Sequence, residues 1–336
     1  MKKIAWIPIF LCCVSSLFPV DSKTMPQTQP GAPPSPVKEL DLPWLTGPLI
    51  VPNGTVTTAG HVYLQNYVNF NTTTGVYDSN WNSHAANHNY FSFNPQIIAY
   101  VGLTEWMDVF IAPQGYCNHY HEDTDGRFGD LPVGLDFQPI AMDTKNWYPG
   151  VKLTIKETFP TGQYQNLNPS KMGTDIGGAG TYGTTFNVLL HNVYHLWNQH
   201  YLSLFGSWGY TINTNANVKG FNAYGGGYGT SGKVNTGNSW QGIFSFEFTF
   251  NRQWAIAMDT VYTHVDRSSF TGNTGTYADG TTAIVGLPSS EQLAFCPALE
   301  YNFNEHIGLI VGCYMTATGR NSAIFRNGIA EVTVSY

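Results

Sequence analysis

Apolar and polar residues alternate along much of the chain, most clearly between residues 240 and 250. Every second residue there is Trp, Gly or Phe, and the residues between them are Gln241, Ile243, Ser245, Glu247 and Thr249. Successive side chains of a β-strand point to opposite faces, so this period predicts a strand with one apolar face. The same alternation recurs in residues 151–156, 307–315 and 331–336.

Five short polar turns join the alternating runs. Three of them start at Asn198, Asn251 and Asn304, with a constant spacing of 53 residues, and another lies at 104–106. Counting back by the same spacing from Asn198 reaches the fifth turn, at 143–146. A fixed period of this size indicates a repeated structural unit. Longer loops rich in Gly, Asn, Thr and Ser alternate with these turns, near residues 71–89, 118–132, 159–183, 212–237, 266–290 and 318–323.

Short turns at one end and longer loops at the other are typical of an outer-membrane barrel. Five turns join ten strands, and a first strand near 61–70 and a last strand ending at Tyr336 bring the number to 12. We therefore predict an all-β fold, a transmembrane antiparallel up-and-down β-barrel of about 12 strands. The alternative is a soluble sandwich or propeller, but its core would be Val, Ile and Leu and its surface charged. Aromatic residues near the strand ends instead fit the girdles of a membrane barrel.

The composition supports a membrane barrel and excludes other classes. Charged residues make up 11% of the 336 residues and aromatic residues 15%. A disordered chain carries more charge and fewer aromatics, and a helical membrane protein needs apolar runs of about 20 residues, which the mature part lacks. The net charge of −7 argues against a nucleic-acid partner.

The N-terminus indicates export and divides the chain into three parts. Lys2 and Lys3 precede an apolar run, which predicts a secretory signal peptide over residues 1–22. A Pro-rich periplasmic tether is predicted for residues 23–56, because such composition forms no packed core. The barrel is predicted to occupy residues 57–336, and the location is the cell outer membrane.

Three short motifs resemble a known family. They are Thr46–Ile50 (TGPLI), Gly129–Gly134 (GDLPVG), and Pro149–Val151 followed by Phe159–Gly162 (PGV and FPTG). Together they resemble the phenol meta-degradation pathway (MetA-type) outer-membrane transporter family, which is distantly FadL-like. The resemblance implies a 12-strand-class barrel that passes small, often hydrophobic or aromatic, molecules. No N-terminal hatch domain is evident, since a Pro-rich stretch precedes the barrel.

The polar faces of the strands predict what lines the lumen. If the apolar face meets lipid, the inward residues are Asp108, Asp136, Gln138, Lys152, Lys156, Glu247, Asp259, Glu300 and Glu331. Charged rings inside a pore set its selectivity, although the same residues could instead pair and fill a narrow interior. The Gly-rich stretch 161–183 either folds inward as a constriction or forms a solvated loop.

Two further features of the sequence are candidate sites of chemistry. The residues His119, His121, Asp123 and Asp125 form a weak candidate metal loop, since the downstream Glu of a calcium loop is missing and a solvated acidic loop is favoured. His191, His195 and His264 lack a nucleophile on the same strand face, so no enzyme activity, catalytic residue or cofactor is predicted.

The hairpin around the turn at Asn304 carries Cys296 and Cys313. A two-residue turn would place these cysteines opposite each other, but the alternation puts them on different faces. Directly paired residues share a face, so we predict a register one residue different and no disulfide.

The predicted function is an outer-membrane channel that passively passes small molecules, including hydrophobic or aromatic ones. The alternative is a surface-exposed structural or adhesin-like barrel with a plugged lumen. The expected partners are outer-membrane lipid, lipopolysaccharide, a small-molecule solute and the barrel-assembly machinery. Val332, Val334 and Tyr336 resemble the C-terminal signal that this machinery reads.

Overall fold

The computed structural model describes residues 44–143 and 147–336, and these residues form an all-β chain. The strands are β1 (Val62–Tyr77), β2 (Ser83–Thr104), β3 (Met107–Ile111), β4 (Gly115–Tyr120), β5 (Asp123–Phe128), β6 (Leu131–Ile140), β7 (Gly150–Phe159), β8 (Gly183–Trp197), β9 (His200–Asn213), β10 (Asn215–Lys219), β11 (Ser231–Asn235), β12 (Ser239–Thr249), β13 (Trp254–Val265), β14 (Ser269–Asn273), β15 (Ser290–Asn302), β16 (Ile307–Arg320) and β17 (Ala323–Ser335). A 3₁₀ turn spans Pro169–Lys171. Within the described ranges, no helix is long and apolar enough to cross a membrane.

The strands close into an antiparallel barrel. Each barrel strand pairs with its neighbours in chain order, and β1 completes the ring by pairing with both β2 and β17. β2 pairs with β3 and then with β4, so these two short strands share one place in the wall. β6 pairs with β3 and β5 pairs with β4, so β5 and β6 together occupy the next place, and β6 continues the wall to β7. The barrel therefore has 12 strands, which confirms the predicted fold class.

The predicted short turns that the structure describes lie at one end of the barrel. The β2–β3, β8–β9, β12–β13 and β15–β16 turns occupy residues 105–106, 198–199, 250–253 and 303–306. The fifth predicted turn, 143–146, lies within the β6–β7 connection, and residues 144–146 are outside the described part.

Three of the predicted loops at the other end are instead hairpins with tight turns. β1 and β2 extend to a turn at residues 78–82, β4 and β5 meet at 121–122, and β16 and β17 meet at 321–322.

The two faces of the wall differ in polarity, as the alternation predicted. In β12, Ser245 and Glu247 are fully buried, whereas Phe244 is 57% exposed on the outer face. Aromatic side chains project outward near the short turns, at Trp106, Trp147, Trp197, Phe250, Trp254 and Phe303. A girdle of this kind is typical of the membrane–water interface.

The long loops build a second, smaller sheet. β10, β11 and β14 pair in that order and are separate from the barrel sheet. They share an apolar cluster that includes Val218, Tyr224 and Val234, with Tyr164 from the β7–β8 loop packed against it. The loops at this end are thus held together by a core of their own.

The β15–β16 hairpin has the register that the alternation predicted. Phe295 lies opposite Met315, and Ala298 lies opposite Gly312, so Cys296 and Cys313 are not directly paired. Cys296 is buried, Cys313 is half-buried, and both are free thiols.

The predicted tether is wrong for the residues of it that the structure describes. Residues 46–54 are all buried, and residues 44–57 form hydrogen bonds with the inner face of the barrel. The physical reason is that this stretch carries Leu49, Ile50 and Val51, which pack into the apolar part of the lumen. The signal peptide over 1–22 and the tether over 23–43 lie outside the described residues.

Candidate functional site in the barrel lumen

Residues 44–60, here named the lumen segment, cross the inside of the barrel at the end with the short turns. At its start, the Trp44 N–H donates to the carbonyl of Arg252 in the β12–β13 turn. At its end, the Gly60 N–H donates to the carbonyl of Gly102 on β2. The segment therefore runs from the β13–β15 side of the wall to the β2–β3 side. It fills the half of the lumen that we name the lower half.

Carboxylates of one wall accept hydrogen bonds from the backbone of the lumen segment. The Thr46 N–H donates to Glu300 Oε1 over 2.5 Å. The Gly47 N–H donates to Glu247 Oε1 over 3.4 Å. These two carboxylates come from β15 and β12, which are close to each other in the ring. The start of the segment is thus anchored by acceptors on two strands.

Asp259 on β13 binds the next part of the lumen segment with both of its oxygens. The Ile50 N–H donates to Oδ2 over 3.2 Å, and the Val51 N–H donates to Oδ1 over 3.1 Å. Asp259 also accepts a 2.5 Å bond from the Ser245 hydroxyl, which orients the carboxyl group. Because Asp259 accepts bonds from two successive N–H groups, it fixes these two peptide units of the lumen segment against the wall.

The opposite wall binds the end of the lumen segment in the same manner. The Val56 N–H donates to Gln138 Oε1 over 2.9 Å, and the Thr57 N–H donates to Asp108 Oδ2 over 2.6 Å. Both acceptors were predicted to face the lumen from strand parity alone. The segment is therefore bonded to both sides of the barrel and bridges the lumen.

Apolar packing completes the closure of the lower half. Leu49 and Val51 are fully buried in a cluster of inward-facing residues such as Tyr67, Tyr100 and Phe205. Gly54 lies against the imidazole of His191, where a Cβ atom would overlap the ring. No larger residue fits at position 54 unless the segment or the imidazole moves.

Two predicted charges form an ion pair beside the segment. Lys152 Nζ lies 3.1 Å from Asp136 Oδ2, and both side chains are at least 97% buried. The Thr154 hydroxyl also donates to Asp136. Glu331 on β17 accepts a 2.8 Å bond from the Gln65 side chain. The predicted lumen residues Asp108, Asp136, Gln138, Lys152, Glu247, Asp259, Glu300 and Glu331 are all buried.

The other half of the lumen, here named the upper half, holds a cavity of about 410 Å³. Its lining comes from the loop ends of the strands and from the long loops, and it includes Lys156, the ninth predicted residue. Tyr77, Tyr90, Tyr116 and Tyr224 contribute to the wall. The cavity therefore combines ring surfaces with hydroxyl, amide and charged groups.

The Gly-rich stretch 161–183 folds inward, which decides between the two alternatives left open by the sequence. Residues 173 and 176–179 line the cavity. The Asn118 amide donates to the carbonyls of Thr174 and Ile176, over 3.0 and 3.1 Å. Asp130 accepts the N–H groups of Gly162 and Ala179, over 2.9 and 2.8 Å. The loop is bonded at several points over the mouth of the barrel.

The weak candidate metal loop lies on the β4–β5 hairpin, and its side chains bond to other groups. Asp125 is held by Arg127, at 2.8 Å, and by Lys171. His119 bonds to the Thr124 hydroxyl over 2.8 Å. The ring of His121 lies 3.8 Å from that of His88, and Asp123 is half-buried at the start of β5. Among the described residues, no three His, Cys, Asp or Glu side chains converge on one point.

The predicted assembly signal lies on the outer face of β17. Val332 is 39% exposed and Tyr336 is 70% exposed, with Val334 on the same face. The backbone of Tyr336 exchanges two hydrogen bonds with Val62, over 2.9 and 3.2 Å. The end of the chain thus takes part in closing the barrel.

The comparison with solved structures supports the fold. The COG4313 outer membrane channel from Pseudomonas putida F1 matches with a TM-score of 0.62 and 13% identity, over 84% of this chain and 98% of that one. The β domain of the Bordetella autotransporter BrkA matches with a TM-score of 0.48 and 11% identity, over 83% and 100%. The Ralstonia pickettii toluene transporter TbuX gives 0.39 and 10%, over 83% and 90%. The last two TM-scores are below 0.5 and do not by themselves establish a shared fold. In sequence, the chain matches no protein-family model and no curated protein.

The fold and its surface define the class of protein. The barrel sheet closes on itself through the pairing of β1 with β2 and β17, and its outer face is apolar and ringed by aromatic side chains. The chain is a 12-stranded β-barrel of the outer membrane.

The sequence did not reveal the lumen segment. In the sequence, residues 46–50 stand out only as a family motif that leads into the first strand. One signal was available, because Leu49, Ile50 and Val51 form an apolar run in a stretch without strand alternation.

Proposed function

We propose that this protein is an outer-membrane channel for small molecules, and that the lumen segment is the part that closes it. The observation that carries the proposal is the way the lower half of the lumen is filled. The segment is attached there by hydrogen bonds and apolar contacts, and it is separate from the strands that form the wall. Displacing it would leave a lumen lined by carboxylates and by inward-facing apolar residues such as Tyr67 and Phe205, while every strand pair of the barrel stays intact.

The cavity in the upper half supports a path that begins at the loop end. Its volume of about 410 Å³ suits one small molecule, and its tyrosines provide ring surfaces for weak binding. This lining, together with the resemblance to the phenol meta-degradation pathway transporter family, supports small hydrophobic or aromatic solutes. Solutes would diffuse through, and we propose no catalytic step.

The test is the conductance of the full-length protein in planar bilayers. A Gly54→Leu variant places a side chain where His191 already lies. Because the His191 ring is buried and stacked on Phe205, we expect the lumen segment to move away from the wall. We expect rare, brief openings for the native chain and an open probability at least about tenfold higher for Gly54→Leu, given the buried volume that must move. Gly328→Leu on β17 is the matched control, because a Cβ atom there meets open space.

The same measurement separates the channel from a second candidate function. The filled lumen and the separately packed loop sheet favour a structural or adhesin-like barrel if the segment never moves. Zero conductance and zero solute swelling for both native and Gly54→Leu protein would support that candidate and contradict the channel.

We propose that Val332, Val334 and Tyr336 are read by the barrel-assembly machinery, and that the outer rim meets lipopolysaccharide. Deleting Tyr336 removes an outward aromatic ring and two backbone bonds to Val62. We expect less folded protein in the outer membrane with unchanged synthesis. Heat-modifiable gel migration of membrane fractions measures this, and normal insertion would contradict it.

A further inference from the structure

The lower half of the lumen carries a large excess of negative side chains. Among the described residues that face inward there, the carboxylates are Asp108, Asp136, Glu247, Asp259, Glu300 and Glu331, and the cation is Lys152. Lys152 is paired with Asp136. Five carboxylates from five different strands therefore face the interior without a direct ion pair among these residues, although Lys152 also lies near Asp108.

The lumen segment covers these carboxylates without neutralising them. Residues 44–60 contain no Asp, Glu, Lys, Arg or His. Four of the five carboxylates accept backbone N–H groups of the segment, and the fifth, Glu331, accepts an amide of Gln65. Neutral donors thus occupy the positions that a cation would take in an open lumen.

Three of these carboxylate oxygens accept no N–H group of the lumen segment. They are Asp108 Oδ1, Glu247 Oε2 and Glu300 Oε2, all buried, and Glu247 also lies beside Glu300 and the Ser203 side chain. A buried acceptor without a donor is unfavourable, so the wall offers more acceptor capacity than the segment fills. Water or a solute cation in the open lumen could bond to these oxygens.

We infer that the open lumen selects cations over anions, and that small cationic or neutral solutes pass while anionic solutes are excluded. This inference rests on the proposed function, in which the lumen segment moves aside. Carboxylates in contact with water are ionised at neutral pH, and a ring of them raises the local concentration of cations in a narrow pore. The lining of the upper cavity contains two carboxylates, Asp130 and Asp266, and one cation, Lys156. The upper half therefore does not reverse the negative charge of the path.

The experiment measures the reversal potential of full-length Gly54→Leu in a KCl gradient. We expect a potassium-to-chloride permeability ratio of at least about five, because fixed carboxylates of one sign line the path. Adding Glu247→Gln and Glu300→Gln keeps the side-chain shape and removes two charges. We expect this to lower the ratio at least about twofold. The matched control adds Glu122→Gln and Glu305→Gln, which lie in exposed turns outside the lumen, and should leave the ratio unchanged.

The outcomes separate the inference from the proposed function. A conducting pore with a ratio at or below one would overturn the inference while leaving the channel in place. An unchanged ratio after the Gln substitutions in the lumen would show that these carboxylates do not set it. Absence of conductance in both native and Gly54→Leu protein would overturn the channel and the inference together.

A second variant guards against a folding defect in Gly54→Leu. Asp259→Asn retains an acceptor oxygen for the lumen segment and removes one charge. The potassium-to-chloride permeability ratio of Asp259→Asn, measured during its spontaneous openings, should fall below that of the native chain measured in the same way. Heat-modifiable migration of each variant verifies that the barrel is folded, and an equal or higher ratio for folded Asp259→Asn would contradict the inference.

Discussion

The two halves of the lumen are built from the same kind of wall but are filled differently. In the lower half, carboxylates from several strands hold a single neutral segment, and apolar residues pack around it. In the upper half, polar residues hold loops that are connected to the strands, and a cavity of about 410 Å³ remains. The closure that can be removed without breaking the barrel is therefore the one in the lower half, and four substitutions test this difference.

The largest effect on stability is expected at Lys152, which forms a buried ion pair with Asp136 in the lower half. Lys152→Met leaves Asp136 buried without its cation, which costs about 3–5 kcal/mol of folding free energy. The folded fraction on heat-modifiable gels should disappear at a clearly lower temperature. The double variant Lys152→Met with Asp136→Asn should regain most of the loss, and an unchanged unfolding temperature for the single variant would argue against the pair.

A smaller effect is expected at Asp259, and it should concern closure more than folding. Asp259→Ala removes the acceptors of the Ile50 and Val51 N–H groups, which costs about 2–4 kcal/mol of segment binding. We expect single-channel open probability to rise at least about tenfold, since 1.4 kcal/mol corresponds to a factor of ten. Asp259→Asn is the control, and its open probability should rise less than that of Asp259→Ala. Equal open probability in the native and Ala proteins would contradict anchoring by Asp259.

In the upper half, Asp130→Ala should loosen a loop and leave the lower closure intact. It removes the acceptor of the Gly162 and Ala179 N–H groups, at a cost of about 1–3 kcal/mol of loop stability. Limited proteolysis should cut within residues 161–183 several times faster. Glu122→Ala at an exposed turn is the control. If Asp130→Ala raised open probability as much as Asp259→Ala does, the two halves would not differ as we describe.

The smallest effect is expected at an exposed carboxylate, Asp78 in the β1–β2 turn. Its bonds to His84 and to the Asn82 N–H hold the pKa of Asp78 well below its usual range. A lowered pKa means that the contribution is present above the ordinary carboxyl pKa and is lost as pH falls through the lower, folded value. Amide exchange of Asn80 and Asn82, corrected for intrinsic rates, should therefore not accelerate between pH 7 and pH 5. Asp78→Ala should accelerate it modestly, by about two- to fivefold, and faster exchange at pH 5 than at pH 7 in the native protein would contradict the lowered pKa.

Strand pairing and facing could be predicted from local sequence because each depends on neighbours in the chain. Glu247 was placed inside from the alternation around it, and the register at Cys296 followed from the same parity. The partners of these residues could not be predicted in this way. Thr46 bonds to Glu300 across 254 positions, and Thr57 bonds to Asp108 across 51. The donors are backbone N–H groups, which do not depend on the type of residue and so cannot be recognised in the sequence.

The sequence by itself determined a 12-stranded barrel, its apolar outer face and its charged inner face, because lipid requires a period of two in every strand. The tertiary structure alone decided what occupies the interior. Residues 44–57 have no alternation, and their position depends on acceptors brought together from five separate strands when the barrel closes. The inner charges are therefore covered by a neutral segment of the same chain, which strand periodicity does not encode.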